Sequence, residues 1–263
     1  MYKAVRARLQ QGHRTMKYPD GPAPPMPDRF RGRPVIDASR CPDGCRDCAD
    51  ACPTDAISLV DGVRLDLGRC LFCTDCVNAC PDGSITYRGD YRLSVNRRED
   101  LVVTSNDNAR SLAVALDARL RKLFGRSLQL RQVSAGGCNA CEADVNVLGT
   151  VGWDLGRFGI RVVASPRHAD GLLITGPVTK NMELALKKTY DAVPEPKIVI
   201  AVGACAISGG PYIGHEQQNG GAGAVVPVDL YIAGCPPHPL TILDGLLRML
   251  GRIEDGSRVT PAA

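Results

Sequence analysis

Large aromatic side chains and long apolar runs are scarce in this sequence of 263 residues. Only 5% of the residues are aromatic, although 44% are hydrophobic, so alanine, valine, leucine and isoleucine must fill the core. No apolar run approaches the roughly 18–20 residues that a helix needs to span a bilayer, and the basic N-terminal stretch lacks the apolar segment of a secretory signal. These absences predict a cytoplasmic chain without a membrane span of its own.

Motifs of several common enzyme classes are missing as well. The sequence holds neither a P-loop nor a G-x-G-x-x-G motif, the glycine-rich patterns by which many proteins bind nucleotides. No grouping of serine, histidine and aspartate suggests a hydrolase. No basic patch interleaved with aromatic residues suggests a nucleic-acid partner. The residues therefore argue against nucleotide-binding, hydrolytic and nucleic-acid-binding functions.

Charge is distributed unevenly, although the formal net charge is only +4. Residues 1–40 hold nine lysines and arginines against three acidic residues, whereas residues 41–100 hold seven against eleven. A basic, proline-rich stretch thus precedes an acidic one. The basic stretch is expected to be either a solvated tail or an arm that docks on a partner protein or at the inner membrane surface.

Cysteine, in contrast, is abundant, and its 12 residues fall into two blocks. Eight of them lie in two similar runs between residues 41 and 80, and the other four are spread between residues 138 and 235. Disulfides are not expected, because the cytoplasm is reducing and a core of this size needs no covalent staples. Metal binding is the expected role of both blocks.

The second of the two runs has the spacing found in bacterial ferredoxins. It is Cys70-x2-Cys73-x2-Cys76-x3-Cys80-Pro81. In such a run three thiolates hold one iron–sulfur cluster and the fourth binds the other cluster. The first run has one extra residue and is Cys41-x3-Cys45-x2-Cys48-x3-Cys52-Pro53. A turn at Pro42-Asp43-Gly44 can absorb this insertion.

Each run is followed by a short β-prone stretch, AISLV (56–60) and SITYR (84–88), so the module is an internal duplication of loop, helix and strand. We expect two [4Fe–4S] clusters in a crossed arrangement. One set of ligands is Cys41, Cys45, Cys48 and Cys80, and the other is Cys70, Cys73, Cys76 and Cys52. Zinc bound by the CxxC pairs is the alternative, although zinc does not explain two runs that each end in Cys-Pro.

The segment YPDGPAPPMPDRFRGRPVIDASRC (18–41), together with both runs, resembles the two-cluster ferredoxin subunits of NADH:quinone oxidoreductase and of formate-hydrogenlyase-type [NiFe] hydrogenases. The resemblance covers roughly residues 1–100. It implies an α+β fold of the bacterial 2[4Fe–4S] ferredoxin type. It also implies that the N-terminal arm runs along neighbouring subunits.

Beyond residue 100, short apolar stretches alternate with helical ones. Strands are predicted over residues 127–133, 160–164, 171–175, 197–203 and 228–234. Helices are predicted over residues 143–149, 180–192 and 239–253. A further helix, over residues 108–124 and capped by Asn106, Asp107 or Asn108, is expected to join two domains or to open the second one. The alternation and the near-continuous apolar strands favour an open, mostly parallel, flavodoxin-like α/β sheet.

The last four cysteines follow predicted strands, at the end where open α/β sheets bind their ligands. Cys138 and Cys141 follow the first strand, Cys205 the fourth and Cys235 the fifth. They are expected to bind a third [4Fe–4S] cluster, with ordinary buried cysteines as the alternative. Glu142 is a candidate for a proton relay or for tuning that cluster. Its alternative role is that of an acid placed at a helix N-terminus.

The stretches around these cysteines carry a second resemblance: GGCNACEADVN (136–146), SPRHADGLLITGPVT (165–179), IAVGACAISGGPY (200–212) and GCPPHP (234–239). Together they resemble the B-type subunit of NADH:quinone oxidoreductase and the small subunit of energy-converting (group 4) [NiFe] hydrogenases. The quinone-reducing branch usually has adjacent cysteines at the first position and glutamine in place of His168. The split pair Cys138 and Cys141, with His168, is therefore hydrogenase-like.

The two resemblances imply a fusion of two subunits: a docking arm (1–40), a ferredoxin domain (41–100), a linking helix (101–126) and an α/β domain (127–263). The implied role is to relay electrons through three [4Fe–4S] clusters to or from a catalytic large subunit of a [NiFe] hydrogenase, without a complete active site in this chain. The implied partners also include other soluble-arm and membrane subunits at the inner face of the cell membrane. A quinone-reducing complex is the alternative within redox chemistry, and a zinc-stabilised interaction module is the alternative outside it.

Overall fold

Short helices and strands surround the cysteine runs in the first part of the chain. The computed structural model describes residues 2–12, 14–105 and 111–253. The elements of the first part are α1 (Tyr2–Gln11), β1 (Arg33–Ile36), α2 (Asp47–Asp50), β2 (Ile57–Ser58), β3 (Arg64–Asp66), α3 (Asp75–Ala79), β4 (Ile85–Arg88), β5 (Ser94–Val95) and β6 (Val102–Thr104). Two short 3-10 helices, Ala38–Arg40 and Arg98–Leu101, lie among them.

The predicted order of loop, helix and strand occurs twice, as α2 with β2 and as α3 with β4. β4 pairs antiparallel with β1, so the end of the predicted arm is a strand of the ferredoxin module. β2, β3 and β6 form a second antiparallel sheet. β2 is shorter than the predicted strand because the chain turns towards solvent, where the Val60 side chain is 71% exposed.

The second part of the chain alternates strands and helices as predicted. Its elements are α4 (Ala118–Phe124), β7 (Leu128–Ser134), α5 (Ala140–Val147), β8 (Ile160–Val162), β9 (Gly171–Thr175), α6 (Lys180–Ala192), β10 (Ile198–Val202), α7 (Ala204–Ser208), β11 (Leu230–Ile232) and α8 (Pro239–Met249). Four 3-10 helices lie between them, at Leu155–Phe158, Pro166–His168, Gly210–Tyr212 and Ala222–Ala224. The strands and helices predicted beyond residue 126 are all present, with ends that differ by a few residues.

A six-stranded sheet forms the centre of the second part, with the spatial order β5-β11-β10-β9-β7-β8. The last five of these strands are parallel to one another. Numbered along the chain, they run in the order 2-1-3-4-5, which is a common order of doubly wound sheets. β5 adds an antiparallel edge strand beside β11. The prediction of an open, mostly parallel α/β sheet is confirmed.

The prediction of a helix over residues 108–124 is wrong for residues 111–117, which are not helical. The Ala113 N–H donates to the Ser94 carbonyl of β5, and the Leu116 N–H donates to the Met249 carbonyl at the end of α8. These tertiary hydrogen bonds hold the segment extended and override its helical leucine spacing. The helix starts only at Ala118, where the Asp117 carboxylate accepts from the Leu120 N–H at 2.9 Å. The proposed caps at 106–108 lie outside the described residues.

The predicted boundary between ferredoxin and α/β domains is not where the packing divides. β5 comes from the predicted ferredoxin stretch but pairs in the large sheet, and β6 comes from the predicted linker but pairs with β3. One hydrophobic core contains Leu65 and Leu101 of the ferredoxin part together with Leu172 and Ile207 of the α/β part. The two modules therefore form one packed body.

A close backbone approach fixes this contact between the modules. The Ser208 hydroxyl of α7 donates to the Gly68 carbonyl at 2.8 Å. A Cβ atom at Gly68 would lie 2.7 Å from the side chains of Arg98 and Ile207. The Arg98 guanidinium in turn donates to both carboxylate oxygens of Asp66, at 2.8 and 2.6 Å. Only glycine at position 68 allows the ferredoxin loop to lie this close to α7.

The other face of the sheet is covered by α8, all of whose residues are buried. Its acidic side chain, Asp244, is fully buried and accepts from the Tyr18 hydroxyl at 2.8 Å and from Arg248 Nε at 2.9 Å. The Met16 N–H donates to the Gly152 carbonyl, and Arg157 donates to the carbonyls of both Met16 and Tyr18. Residues 16–18 of the predicted docking arm thus pack on the chain's own α/β part.

The first helix, α1, contributes no buried residue, and Tyr2 and Leu9 are 80% and 79% exposed. Within the described ranges, no helix combines the length and the apolar character that crossing a membrane requires.

The anchoring of the arm by Tyr18 leads to a stability prediction. We expect Tyr18→Phe to lower the free energy of unfolding by about 1.5–3 kcal/mol, because the variant removes a buried hydrogen bond to a carboxylate. Urea unfolding of the anaerobically purified protein, followed by circular dichroism, measures the change. Tyr2→Phe is the control, since the Tyr2 side chain is mostly in solvent. Equal unfolding midpoints for the two variants would contradict the anchoring role.

Candidate iron-sulfur sites

The cysteine runs are wound into tight loops by residues with left-handed backbone. In the second run Phe72 and Thr74 have φ angles of 56° and 72°, and the chain then enters α3. In the first run Gly44 has a φ angle of 77°, and the Cys45 N–H donates to the Pro42 carbonyl at 3.2 Å. The turn predicted at Pro42-Asp43-Gly44 is therefore present, and it absorbs the extra residue.

The first thiol group consists of Cys41, Cys45, Cys48 and Cys80. Burial, followed by the charges of neighbouring thiolates in this same set, raises the pKa of Cys41 and of Cys48. Burial also opposes ionisation of Cys80, but backbone N–H groups reverse the balance and lower its pKa. The nearest of these is the Ser84 N–H, which donates to Cys80 Sγ at 3.3 Å.

The second thiol group consists of Cys52, Cys70, Cys73 and Cys76. Burial raises the pKa of Cys70 to about 12 and that of Cys76 to about 11, and the charges of the other thiolates add to this rise. Backbone N–H groups again point at sulfur: Ala56 donates to Cys52 Sγ at 3.2 Å and Phe72 to Cys70 Sγ at 3.3 Å. The last cysteine of each run thus lies with the first three of the other run, as the crossed arrangement requires.

A tyrosine hydroxyl also reaches the second thiol group. Tyr87 lies on β4, and its hydroxyl is 3.6 Å from Cys70 Sγ. Its ring packs near that of Phe72, with centroids 6.3 Å apart. Burial is the main cause that raises the pKa of Tyr87, followed by the nearby Cys70 and Cys76. The phenol therefore remains protonated and is able to donate to a thiolate.

The third thiol group consists of Cys138, Cys141, Cys205 and Cys235. These residues follow β7, β10 and β11, so the parallel sheet brings all four to its carboxyl edge. Burial and then the neighbouring thiolates raise the pKa of Cys141 strongly and that of Cys205 to about 11. Cys138 and Cys235 are exposed, so this group opens onto the protein surface.

Glycines let the backbone lie directly against two of these sulfurs. A Cβ atom at Gly203 would lie 2.5 Å from Cys141 Sγ, and one at Gly210 would lie 2.6 Å from Cys205 Sγ. Both glycines have positive φ angles, 89° and 57°. Any larger residue at either position would displace a thiol of the third group.

Glu142 lies beside the third thiol group, at the crevice between β7 and β9 where the order of the strands reverses. Its side chain is 5% exposed, and Oε1 accepts from the Ser134 hydroxyl at 2.6 Å and from the Thr175 hydroxyl at 2.7 Å. Burial favours the neutral acid, but these two hydrogen bonds outweigh it and lower the pKa of Glu142. The carboxylate is thus a fixed negative charge that also raises the pKa of Cys141 and Cys205. This arrangement favours a role for Glu142 in tuning a cluster in the third thiol group over a role in proton relay.

The two histidines of the resemblance occupy different environments. His238 caps α8, with Nδ1 accepting from the Leu240 N–H at 3.1 Å, and its ring contacts Phe30 and Trp153. These contacts describe a structural histidine. His168 is exposed in the 3-10 helix between β8 and β9.

The second thiol group lies near the third. Although Cys235 as a residue is exposed, partial burial of its thiol is the main cause that raises its pKa, followed by the charges of Cys138 and then of Cys73 in the second group. The packing of the ferredoxin loop on α7 holds these two groups in one body.

The donor set of each group fits a [4Fe–4S] cluster, which is bound by four cysteine thiolates. Backbone N–H groups face several of the sulfurs. Within the described ranges, no set of three or more Cys, His, Asp or Glu side chains is spaced to hold a single metal ion. A cluster instead takes one thiolate at each of its four irons. The raised thiol pKa values mean that binding must release protons.

Sequence reasoning did not single out Ser134, Thr175 and Tyr87, whose hydroxyls point at Glu142 and at a cysteine. Ser134 and Thr175 end two separate strands, and only the sheet order brings them to one carboxylate. Tyr87 could have been singled out from the sequence, because aligning the two cysteine runs places this tyrosine opposite Leu59.

Two family models match the chain. A model of the 4Fe-4S dicluster domain matches residues 40–84, which hold both cysteine runs. A model described as NADH ubiquinone oxidoreductase, 20 kDa subunit, matches residues 138–249, which begin at the first cysteine of the third thiol group and end with α8.

Curated relatives match about half of the chain. The probable membrane-bound hydrogenase subunit mbhJ of Pyrococcus furiosus is 39% identical over 57% of this chain and 90% of its own length. Formate hydrogenlyase subunit 7 of Escherichia coli is 44% identical over 53% of this chain and 55% of its own length. The B-type subunit of NADH-quinone oxidoreductase from Clostridium beijerinckii is 43% identical over 44% of this chain and 70% of its own length.

The region that the 20 kDa subunit model matches carries the four cysteines that the sheet gathers at its carboxyl edge. The chain therefore belongs to the family of the 20 kDa subunit of NADH ubiquinone oxidoreductase, with a 4Fe-4S dicluster domain on its N-terminal side.

Proposed function

We propose that the chain is the electron-transfer small subunit of a multisubunit [NiFe] hydrogenase of the energy-converting, formate-hydrogenlyase type. In this proposal the three thiol groups hold three [4Fe–4S] clusters, which supply one-electron redox chemistry when bound. Electrons pass between a donor or acceptor outside the chain, the two ferredoxin sites and the site at the sheet edge. The chain itself holds no complete active site.

The observation that carries the proposal is the presence of three four-thiol groups within one packed body. Cys73 of the second group lies near enough to Cys235 of the third for its charge to raise the pKa of Cys235, and a shared apolar core joins the two modules. Cys138 and Cys235 of the third group are exposed. This open side is where a catalytic large subunit would cover the third group.

Polar groups around the sulfurs affect iron binding and the reduction potential of the sites. Backbone N–H groups of Ala56, Phe72 and Ser84 donate to cysteine sulfurs and stabilise the thiolate form that binds iron. The Glu142 carboxylate places a negative charge beside the third group. The N–H donors raise the reduction potential of a bound cluster, and the Glu142 carboxylate lowers it.

Two features favour hydrogenase chemistry over quinone reduction. The first pair of the third group is split as Cys138-Asn139-Ala140-Cys141, the hydrogenase-like arrangement. Two relatives, from Pyrococcus and Escherichia, are named as hydrogenase or formate hydrogenlyase subunits. The quinone-reducing complex remains the second candidate, because the B-type subunit of the Clostridium NADH-quinone oxidoreductase is 43% identical over part of the same region.

In this proposal the chain works as part of a membrane-associated complex. One relative is named as a subunit of a membrane-bound hydrogenase. We therefore infer a peripheral position at the inner face of the cell membrane, held by other soluble-arm and membrane subunits. The exposed basic helix α1 is available for such contacts.

The crossed ligand sets give a first test of the cluster assignment. We expect Cys52→Ser to remove the cluster of the second thiol group, with the loss of about four irons per chain. Cys80→Ser is the matched variant and should remove the other ferredoxin cluster. Iron analysis and electron paramagnetic resonance (EPR) of the reduced proteins measure the losses. If the two variants lost the same signal, or if the wild type held zinc instead of iron, the assignment would be wrong.

Glu142 gives a second test. We expect Glu142→Gln to raise the midpoint potential of the third cluster, because the variant removes a buried negative charge while keeping an oxygen that accepts from Ser134 and Thr175. Redox titration followed by EPR measures the potential. Glu183→Gln on α6 is the control, since Glu183 pairs with Lys187 on a surface helix. A potential unchanged by the first substitution would show that Glu142 does not tune the cluster.

The hydrogenase proposal itself is tested on the native complex. The tagged chain is recovered from its host under anaerobic conditions, and the complex is assayed for nickel and for hydrogen-dependent reduction of a viologen dye. We expect both nickel and dye reduction. An iron-rich complex with neither would refute the hydrogenase proposal, and quinone reduction by that complex would support the second candidate.

A further inference from the structure

Among the positions at which the two halves of the ferredoxin module differ, one places a phenol near a sulfur of the second thiol group. Tyr87 lies seven residues after Cys80, and Leu59 lies seven residues after Cys52. Both side chains are partly buried against the same core. Only Tyr87 carries a hydroxyl, and that hydroxyl lies 3.6 Å from Cys70 Sγ.

The direction of this hydrogen bond follows from the state of the cysteine. A metal-bound thiolate has no proton to give, so the Tyr87 phenol must donate and the sulfur accept. At 3.6 Å the hydroxyl is within hydrogen-bonding distance of Cys70 Sγ, so it stabilises negative charge on that sulfur.

We propose that Tyr87 raises the reduction potential of the cluster in the second thiol group. The inference rests on the proposed function, since it requires clusters at both groups. One-electron reduction adds a negative charge to the cluster and its thiolates and neither forms nor breaks a bond. A hydrogen-bond donor at sulfur stabilises the reduced form more than the oxidised form, and the potential rises.

The second group also lies near the third, since the charge of Cys73 contributes to the raised pKa of Cys235. A higher potential at the second cluster would favour an electron resting near the third group. The Leu59 side chain offers no such donor on the other half of the module.

The test compares midpoint potentials in the full-length chain purified without oxygen. In Tyr87→Phe we expect the signal that Cys52→Ser removes to titrate at a more negative potential, while the other signals stay in place. A tenfold shift in the ratio of oxidised to reduced cluster corresponds to about 59 mV for a one-electron couple, and a change of that order is expected. The titration uses dithionite as reductant and EPR as readout.

Tyr190→Phe is the matched control, because Tyr190 is also partly buried against this core but its ring contacts Lys197. Unchanged potentials in Tyr87→Phe, with a full iron content, would overturn the inference and leave the proposed function intact. Loss of iron from Tyr87→Phe would also overturn it, since the residue would then act in holding the site together. A wild-type chain without reducible clusters would overturn the proposed function and this inference together.

Discussion

A continuous apolar core between the ferredoxin module and the parallel sheet is the constraint on which the other features depend. Residues of both modules pack in this core, and the Gly68 backbone lies against Ile207 and Ser208 of α7. Electron transfer falls steeply with distance, so two redox sites work together only if their separation is fixed. A shared core fixes the relative position of the two modules, and with it that of the second and third thiol groups.

The same burial sets the chemistry of the sulfurs. Taking a thiol out of water disfavours its charged form, and a second or third thiolate nearby disfavours it further. The raised pKa values keep most of these cysteines protonated until bound iron balances the charge of their thiolates. Metal binding is therefore coupled to proton release. The backbone N–H groups that point at several sulfurs offset part of this cost, and their positions depend on tight loops with left-handed residues such as Phe72 and Thr74.

The sites differ in the groups that surround them. The third group has a buried carboxylate, held by hydroxyls from the ends of β7 and β9, whereas the second has the phenol of Tyr87. A negative charge and a hydrogen-bond donor act on reduction potential in opposite directions. In the proposed function, these neighbours would give chemically similar thiol groups different reduction potentials.

The sequence by itself determined the chemistry and most of the local structure. Cysteine spacing specifies thiolate sites because three ligands on one loop must match one cluster, and apolar runs specify parallel strands because those strands are buried on both faces. Tertiary structure alone decided that residues 111–117 run extended between β5 and α8, that β5 joins the large sheet, and that Tyr18 anchors the arm on Asp244. Those outcomes depend on contacts between residues distant in sequence, such as Ala113 with Ser94, and no local propensity encodes which distant partner will be in reach.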